Sequence, residues 1–322
     1  MINPSKPLRM LITGANGFVG KPLCSAAHKA GYLVTAVTRK PTQFGDGVEN
    51  MVVSDFNQEV LWSEAMHDVD VVVHLAARVH VMKESVKDAL SAYRLINVDG
   101  TLRLASYAAV AGVRRFIYLS SVKVNGESTR KNRPFFADDA PAPEDPYGIS
   151  KMEAEHALFR FSAKTGMEVT IIRPPLVYGP NVGANFASMM RWVTYRWPLP
   201  LGAMTNQRSM VALDNLLDLI LTCTEHPVAK GQVFLVSDGQ DVSVTELLKK
   251  LAQMLNVPSH LIPVPVEYLR CIATIFGKKK IADRFCNSLQ VDIGKTRQLL
   301  GLTPLMSLDQ GLKKTANWFL HQ

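Results

Sequence analysis

The chain has 322 residues and a formal net charge of +8, with 47% hydrophobic and 20% charged residues. This length and composition indicate a globular protein of one large domain or two smaller ones. The lysines and arginines are scattered and form no stripe interleaved with aromatic residues, so nucleic-acid binding is not predicted and the charge favours small anionic ligands.

Short apolar runs alternate with helical patterns through the first half of the chain. The runs that predict strands cover residues 8–13, 33–38, 51–53, 71–76, 115–120 and 168–173, and the candidate helices cover 18–30, 58–66, 86–111 and 148–165. Continuous apolar runs are typical of a parallel sheet that helices cover on both faces. The repeated β-α-β order predicts an α/β fold with a doubly wound parallel sheet and a ligand at the carboxyl ends of the strands.

Three glycines spaced three apart lie between the first predicted strand and the first predicted helix. In a dinucleotide-binding turn, Gly14 would permit the tight turn, Gly17 would let the backbone approach a pyrophosphate, and Gly20 would let helix pack closely on strand. The alternative is a glycine-rich turn that binds no ligand.

The end of the second predicted strand carries cations where an enzyme that prefers NAD usually carries an acid. Thr38, Arg39 and Lys40 stand there, and a guanidinium can bind a 2′-phosphate that a carboxylate would repel. NADP(H) is therefore the predicted cofactor, with NAD(H) as the alternative, and two solvated surface cations are the ordinary interpretation. Asp55, after the third strand, is a candidate for the adenine amino group.

A tyrosine and a lysine are spaced for acid–base chemistry. Tyr147 and Lys151 stand four residues apart and therefore share one face of a predicted helix. A neighbouring ammonium favours the phenolate, so we expect Lys151 to bring the pKa of Tyr147 toward the working range. Ser120 and Ser121, at the end of the fifth predicted strand, offer hydroxyls to a substrate carbonyl.

The pattern changes after residue 175. "RPPLVYGPNVG", residues 173–183, predicts a long functional loop, and one further strand is expected at 232–236. Capping boxes at Ser243 with Glu246 and at Ser307 with Gln310 predict the starts of two helices.

No segment reaches the roughly 18 uninterrupted apolar residues of a spanning helix, and the N-terminus lacks the apolar core of a signal peptide. The nearest candidate, residues 266–280, ends in three lysines. We expect a buried helix with a basic last turn, and contact with a membrane surface is the alternative. The four cysteines and eight histidines are dispersed, so neither disulfides nor a metal site is predicted, and a cytoplasmic location fits.

With these motifs the chain resembles the extended short-chain dehydrogenase/reductase family, in its nucleotide-sugar epimerase and dehydratase branch. The resemblance rests on "TGANGFVG", "HLAA", "NVDGT", "LSSVKVNG", "PYGISK", "RPPLVYGP" and "RSMVALDNLLDLI". It implies an NADP(H)-binding Rossmann domain over residues 1–175, with returning segments near 209–240. A smaller, mainly helical lobe over residues 176–322 would hold a UDP-sugar, and a homodimer is expected.

The resemblance also implies roles for individual residues. Ser121 would be the catalytic hydroxyl and Tyr147 the acid–base residue, while Lys151 would bind the nicotinamide ribose and tune Tyr147. Further cofactor contacts would come from Phe18, Val19, Phe56, Leu75, Ala76, Ala77, Asn97, Pro174 and Leu176. The candidates for contact with the sugar or its diphosphate are Lys123, Asn185, Arg208 and Arg284.

Several phrases look most like bacterial reductases of O-antigen synthesis, among them "SSVKVNGE" and "SLQVDIGKTRQLLG". The leading prediction is NADPH-dependent reduction of the C4 keto group of a UDP-2-acetamido-2,6-dideoxyhexos-4-ulose. Lys123 and Asn125 depart from the residues commoner in epimerases, which counts against the enzymic alternative, a UDP-hexose 4-epimerase that retains NAD. The non-enzymic alternative is a cofactor-sensing or scaffold protein on the same fold.

Overall fold

The computed structural model describes residues 7–55, 58–79, 88–130, 132–277 and 279–321. Its strands are β1 Arg9–Thr13, β2 Leu33–Thr38, β3 Val48–Val52, β4 Val71–His74, β5 Arg115–Leu119, β6 Glu168–Arg173, β7 Leu176–Tyr178, β8 Met210–Ala212 and β9 Val233–Leu235. Seven of these strands form a parallel sheet in the order β3-β2-β1-β4-β5-β6-β9, and β7 pairs with β8 in a second, two-stranded sheet.

Twelve α-helices surround and extend the sheets in the described part of the chain. They are α1 Gly20–Lys29, α2 Glu59–Ala65, α3 Ala89–Arg94, α4 Thr101–Val110, α5 Pro146–Thr165, α6 Ala184–Thr194, α7 Leu213–Glu225, α8 Val244–Met254, α9 Val266–Ile275, α10 Lys279–Cys286, α11 Gly294–Leu300 and α12 Leu308–Leu320. A π-helical segment, Leu95–Gly100, joins α3 to α4.

The central strands are apolar on both sides because helices cover both faces of the sheet. Val71, Val72 and Val73 of β4 are fully buried, with alternate residues contributing to opposite cores. One core includes residues of α1 and α7, and the other includes residues of α2, α4 and α5. The predicted doubly wound α/β fold is confirmed. No described helix is long and apolar enough to cross a membrane.

A third core lies in the C-terminal part of the chain, where β7, β8, α6, α8 and α12 supply its buried residues. Both predicted capping boxes are present, at Ser243 with Glu246 and at Ser307 with Gln310. Phe18, which lies between Gly17 and Gly20, packs against this core and against the α1–α7 core. The division at residue 175 stays a prediction.

Four local expectations differ from the structure. The third strand lies at 48–52 rather than 51–53, because the polar Asn50 joins it by donating hydrogen bonds to Ala36 O and Thr38 Oγ1, both at 2.9 Å. The predicted long loop at 173–183 contains β7, since Leu176–Tyr178 pairs with a segment over thirty residues later in the chain. The expected helix over 86–111 is interrupted by the π-helical segment, and its residues 86 and 87 lie outside the described residues. The segment 266–280 is not a buried helix, because α9 has no buried residue.

Candidate active site

The glycine turn lies at the carboxyl ends of the neighbouring strands β1 and β4. Successive strands of the chain are added outward from this pair, β2 and β3 on one side and β5 and β6 on the other. Ligands of open α/β sheets bind at such a switch point. Gly14 has a φ of +65°, and a Cβ there would lie 2.8 Å from the backbone nitrogen of Ala76. Glycine is therefore needed at position 14 for two reasons: the backbone is left-handed there, and the segment after β4 lies too close to leave room for a side chain.

The other two glycines differ in what surrounds them. A Cβ on Gly20 would overlap the carbonyl oxygen of Gly14, whereas a Cβ on exposed Gly17 would meet only that same oxygen, at 3.1 Å. The first turn of α1 has no side-chain cap and no acidic residue. Bare backbone beside an uncapped helix N-terminus suits a diphosphate, so these residues fit a dinucleotide.

We expect Gly17→Ala to weaken nicotinamide cofactor binding by about tenfold or more, which corresponds to about 1.4 kcal/mol. The added methyl would occupy bare backbone that the dinucleotide-binding interpretation assigns to the pyrophosphate, and within the protein it would meet only Gly14 O, at 3.1 Å. Titration calorimetry would measure the affinity, and the melting temperature should stay near that of the wild type. Gly45→Ala is the matched control, because a Cβ there has no neighbour within 4 Å. Unchanged affinity in Gly17→Ala would show that the turn does not contact the cofactor.

The predicted adenosine-side residues lie at the ends of β2 and β3. Arg39, Lys40 and Asp55 are exposed, and the buried Thr38 hydroxyl donates a hydrogen bond to Lys40 O at 2.7 Å. That bond fixes the backbone from which both cations project. Phe56 lies outside the described residues.

Asn97 holds the segment that follows β4. It lies in the π-helical segment, a feature frequent at functional sites, and is 1% exposed. Its Oδ1 accepts a hydrogen bond from Arg78 N at 2.8 Å, and its Nδ2 donates to Arg78 O at 3.1 Å and to Ser150 Oγ at 3.0 Å. Asn97 thereby links the half-buried Leu75–Ala77 segment to α5.

The start of α5 places Tyr147 beside Ser121. Asp145 caps the helix by accepting a hydrogen bond from Gly148 N at 2.7 Å. A Cβ on Gly148 would lie 2.8 Å from Lys123 O, so glycine lets the first turn of α5 approach the segment after β5. The Ser121 hydroxyl lies beside the Tyr147 side chain and counteracts the rise in its pKa, so the two predicted catalytic groups are neighbours.

Lys151 is buried one turn further along α5. It is 2% exposed, and its ammonium donates a hydrogen bond to Leu119 O at 2.8 Å. Its Nζ lies 4.4 Å from the ring centroid of Tyr118 and 6.0 Å from that of Tyr147. The structure thus brings Ser121, Tyr147 and Lys151 together at one end of the sheet.

The pKa values of this group differ from the expectation that Lys151 lowers that of Tyr147. Burial raises the pKa of Tyr147, Asp145 and Tyr93 raise it further, and the hydrogen bond to Ser121 opposes the shift. Burial lowers the pKa of Lys151 to about 7, against the opposing effect of Glu155. A buried ammonium of reduced basicity cannot stabilise the phenolate fully, so the phenol is the resting form of Tyr147 without cofactor.

The structure contains a buried ionic network behind these residues that the sequence analysis did not predict. Glu155 is 1% exposed and accepts hydrogen bonds from Arg173 Nη2 at 2.6 Å and from the Ser120 hydroxyl. Arg173 also donates to Asn125 Oδ1 at 3.1 Å. Glu155 follows Lys151 by four residues, so helical spacing already places it on the same face as Tyr147. Ser120 therefore contacts this network, whereas Ser121 lies beside Tyr147.

Two of the predicted substrate-side residues, Lys123 and Arg208, belong to a charged cluster next to Ser121. Lys123 Nζ pairs with Glu127 Oε1 at 2.6 Å and with Asp145 Oδ2 at 2.5 Å. Arg208 is half-buried and donates to Asn287 O at 3.2 Å. Burial lowers the pKa of its guanidinium, and Glu127 opposes the shift. The side chains of Asn185 and Arg284 lie outside the described residues.

Pro174 and Leu176 flank the same region. The carbonyl oxygen of buried Pro174 accepts a hydrogen bond from Val122 N at 3.0 Å, which ties the end of β6 to the segment carrying Ser121. Leu176 is 39% exposed at the start of β7. Their predicted contact with the nicotinamide stays a prediction.

The model of the NAD dependent epimerase/dehydratase family matches residues 10–237. A UDP-glucose 4-epimerase of Vibrio cholerae is 46% identical over 98% of this chain and 96% of its own length.

Two solved structures share the fold over nearly their whole length. A UDP-glucose 4-epimerase from Thermotoga maritima, solved with UDP-glucose, has a TM-score of 0.79 at 24% identity and covers 98% of this chain and 99% of its own. A UDP-glucuronic acid 4-epimerase from Bacillus cereus, in complex with NAD, has a TM-score of 0.78 at 21% identity, with coverage of 98% and 99%. The chain belongs to the NAD dependent epimerase/dehydratase family, and it is an NAD(P)-dependent enzyme of nucleotide-sugar chemistry on the extended short-chain dehydrogenase/reductase fold.

Proposed function

We propose that the protein is a UDP-hexose 4-epimerase that inverts C4 of a UDP-sugar and retains its nicotinamide cofactor. The observation that carries this proposal is the 46% identity to a UDP-glucose 4-epimerase over 98% of the chain. This identity favours the 4-epimerase, which the sequence analysis gave as the alternative, over the 4-keto reductase, which was its leading prediction. The proximity of Ser121 and Tyr147 supplies the proton transfer at one hydroxyl that inversion requires, and 4-keto reduction would use the same pair.

In the proposed reaction, C4 of the hexose loses a hydride while its hydroxyl loses a proton, and both return with the hydride on the opposite face. When bound, the oxidised cofactor accepts the hydride and supplies a positive charge. Tyr147 takes the proton as the phenolate, a form that the positive charge of a bound oxidised cofactor would favour, and later returns it. The Ser121 hydroxyl donates a hydrogen bond to the same sugar oxygen. Lys151, anchored on Leu119 O, supplies positive charge near the Tyr147 ring.

NADPH-dependent 4-keto reduction is the second candidate, and the observation that favours it is the charge at the end of β2. Arg39 and Lys40 are both exposed there, with no carboxylate at residues 38–40. Such cations suit a 2′-phosphate and hence an exchangeable NADP(H). The same residues catalyse both reactions, so only the fate of the cofactor separates them.

We expect Arg39→Ala to weaken NADP(H) binding by about 1.5–3 kcal/mol, the range for a hydrogen bond to a charged group. NAD(H) binding should change little, because NAD(H) has no 2′-phosphate. Fluorescence titration with both cofactors would measure this difference, with the exposed Arg103→Ala as the control. An equal loss for both cofactors would assign Arg39 a role outside phosphate recognition.

We expect Arg208→Ala to raise KM for the UDP-sugar by one to two orders of magnitude, the rough scale of one lost charged hydrogen bond. Binding that is equal in ground and transition states sets KM and leaves kcat nearly unchanged. Competitive inhibition by UDP should weaken in parallel, while cofactor affinity should hold. Normal inhibition by UDP in this variant would remove Arg208 from the diphosphate site.

The experiment that tests the proposed function is absorbance at the reduced-nicotinamide band during turnover. An epimerase converts its UDP-sugar with no net absorbance change, and denaturation releases bound cofactor. A reductase consumes NADPH in a one-to-one ratio with a 4-keto UDP-sugar, and that result would replace the epimerase proposal.

The homodimer, the cytoplasmic location and the domain boundary at residue 175 remain proposals beside it.

A further inference from the structure

The C-terminal part of the protein carries a cluster of exposed apolar side chains, here called the apolar patch. It consists of Tyr195, Trp197, Tyr268, Ile272, Ile275 and Phe276, each between 51% and 74% exposed. Scattered exposed apolar residues are ordinary, but a contiguous group of large ones marks an interaction surface.

The patch is continuous across two segments of the chain. Tyr268, Ile272 and Ile275 follow a helical i, i+4, i+7 spacing along α9. Trp197, Ile272 and Phe276 line the same apolar cavity of about 460 Å³. The Tyr195 and Trp197 rings lie 6.1 Å apart, and Leu199 N donates to His260 O at 2.9 Å. These contacts hold the segment 195–199 beside the segment that leads into α9.

The protein itself leaves this face uncovered. Among the described residues, the partly buried Val266 and Leu269 pack α9 against the C-terminal core, and Ile272 and Ala273 face the cavity beside it. No residue of α9 is buried. An amphipathic helix whose apolar stripe points away from the core needs a partner outside the described chain.

The charges around the patch identify that partner's chemistry. Among the described residues around the patch, Arg191, Arg196 and Arg270 are exposed. The carboxylates there are Glu267 of α9 and Asp283 of α10, which both act on the cavity residue Cys286. In the sequence, three lysines at 278–280 follow α9 after Phe276 and Gly277. Tyrosine and tryptophan have amphipathic rings that suit the boundary between headgroups and acyl chains, and arginines beside them attract anionic headgroups.

We propose that the apolar patch docks the protein onto the surface of a bilayer that contains anionic lipids, with α9 lying in the plane of the interface. A second copy of the chain fits this face less well, because a twofold contact would bring the arginines of both copies together. The patch includes none of the residues assigned to the candidate active site, and the proposal does not depend on which nucleotide sugar the enzyme uses.

Co-sedimentation with vesicles tests the proposal on the full-length protein. The protein should bind vesicles of phosphatidylcholine with about one-third phosphatidylglycerol and bind pure phosphatidylcholine more weakly. The double variant Tyr268→Ser with Ile275→Ser should bind the anionic vesicles about tenfold more weakly, because it removes two inserted apolar side chains. Neither residue lines the cavity, so turnover of a soluble UDP-sugar should remain that of the wild type and report a native fold.

Two further variants make the test specific. Val60→Ser with Val110→Ser removes two exposed valines, 79% and 91% exposed, away from the patch, and should bind like the wild type. Arg191→Gln with Arg196→Gln should lower binding to anionic vesicles by roughly tenfold and reduce its salt dependence. Equal binding by the wild type and the Tyr268/Ile275 variant would overturn the proposal. The proposal would also be overturned if the wild type were a dimer that does not bind vesicles and the Tyr268/Ile275 variant were a monomer. In that case the patch would be a contact between two copies of the chain.

Discussion

Replacing Tyr147 by phenylalanine is expected to lower kcat by about 10²-fold or more while cofactor affinity stays near that of the wild type. The substitution keeps the ring, which packs edge-to-face on Tyr93 with centroids 6.0 Å apart. It removes only the hydroxyl that contacts Ser121 and moves the proton. Steady-state kinetics with a UDP-sugar and a separate cofactor titration would measure the two quantities.

Tyr93→Phe is the matched control for that experiment, since it makes the same chemical change on the neighbouring ring. It should leave kcat within a few-fold of the wild type, because Tyr93 is not placed in the proton path. Near-normal turnover in Tyr147→Phe would exclude Tyr147 as the acid–base group. Equal losses in both variants would indicate that the Tyr93 hydroxyl is needed as well, so the result would no longer single out the Tyr147 hydroxyl.

The second large expected effect concerns stability: Glu155→Gln should lower the free energy of unfolding by about 3–5 kcal/mol, because it leaves a buried guanidinium without its counter-charge. Glu155 and Arg173 are 1% and 3% exposed, and Arg173 Nη2 donates to Glu155 Oε2 at 2.6 Å. Urea denaturation would measure the loss. Glu153→Gln, two residues earlier, breaks a more exposed pair with Arg94 and should cost about 1 kcal/mol or less.

The double variant Glu155→Leu with Arg173→Leu separates the charge from the packing. Removing both charges should recover much of the stability lost in Glu155→Gln, since an apolar pair in a buried site is often as stable as an ion pair. If the double variant is less stable than the single one, the hydrogen bonds to Ser120 and Asn125 matter more than the ion pair. A loss in Glu155→Gln no larger than in Glu153→Gln would contradict the buried-pair interpretation.

The sheet and the position of the site were predictable because they depend on local sequence patterns. Apolar runs such as 71–76 give the central strands, and the glycine spacing gives the turn at the switch point. The contact between Tyr147 and Ser121 also follows, since helix and strand ends converge at one edge of a parallel sheet. The Glu155 pair could have been found from its spacing to Lys151.

Other features depend on contacts between distant segments and could not be predicted from local patterns. The three residues of β7 are a strand only because β8 lies beside them. The pKa of Tyr147 is raised mainly by burial, which the spacing of Tyr147 and Lys151 does not reveal. The exposure of α9 likewise depends on which face the C-terminal core leaves uncovered.

Proton NMR of a UDP-hexose incubated with the purified enzyme, without added nicotinamide, tests the proposed epimerase most directly. We expect UDP-glucose and its C4 epimer, each supplied separately, to reach the same equilibrium mixture. The reason is that inversion at C4 returns the hydride it removes and consumes no cofactor. If neither sugar changes while a 4-keto UDP-sugar is reduced with NADPH, the enzyme is a reductase and the epimerase proposal is wrong.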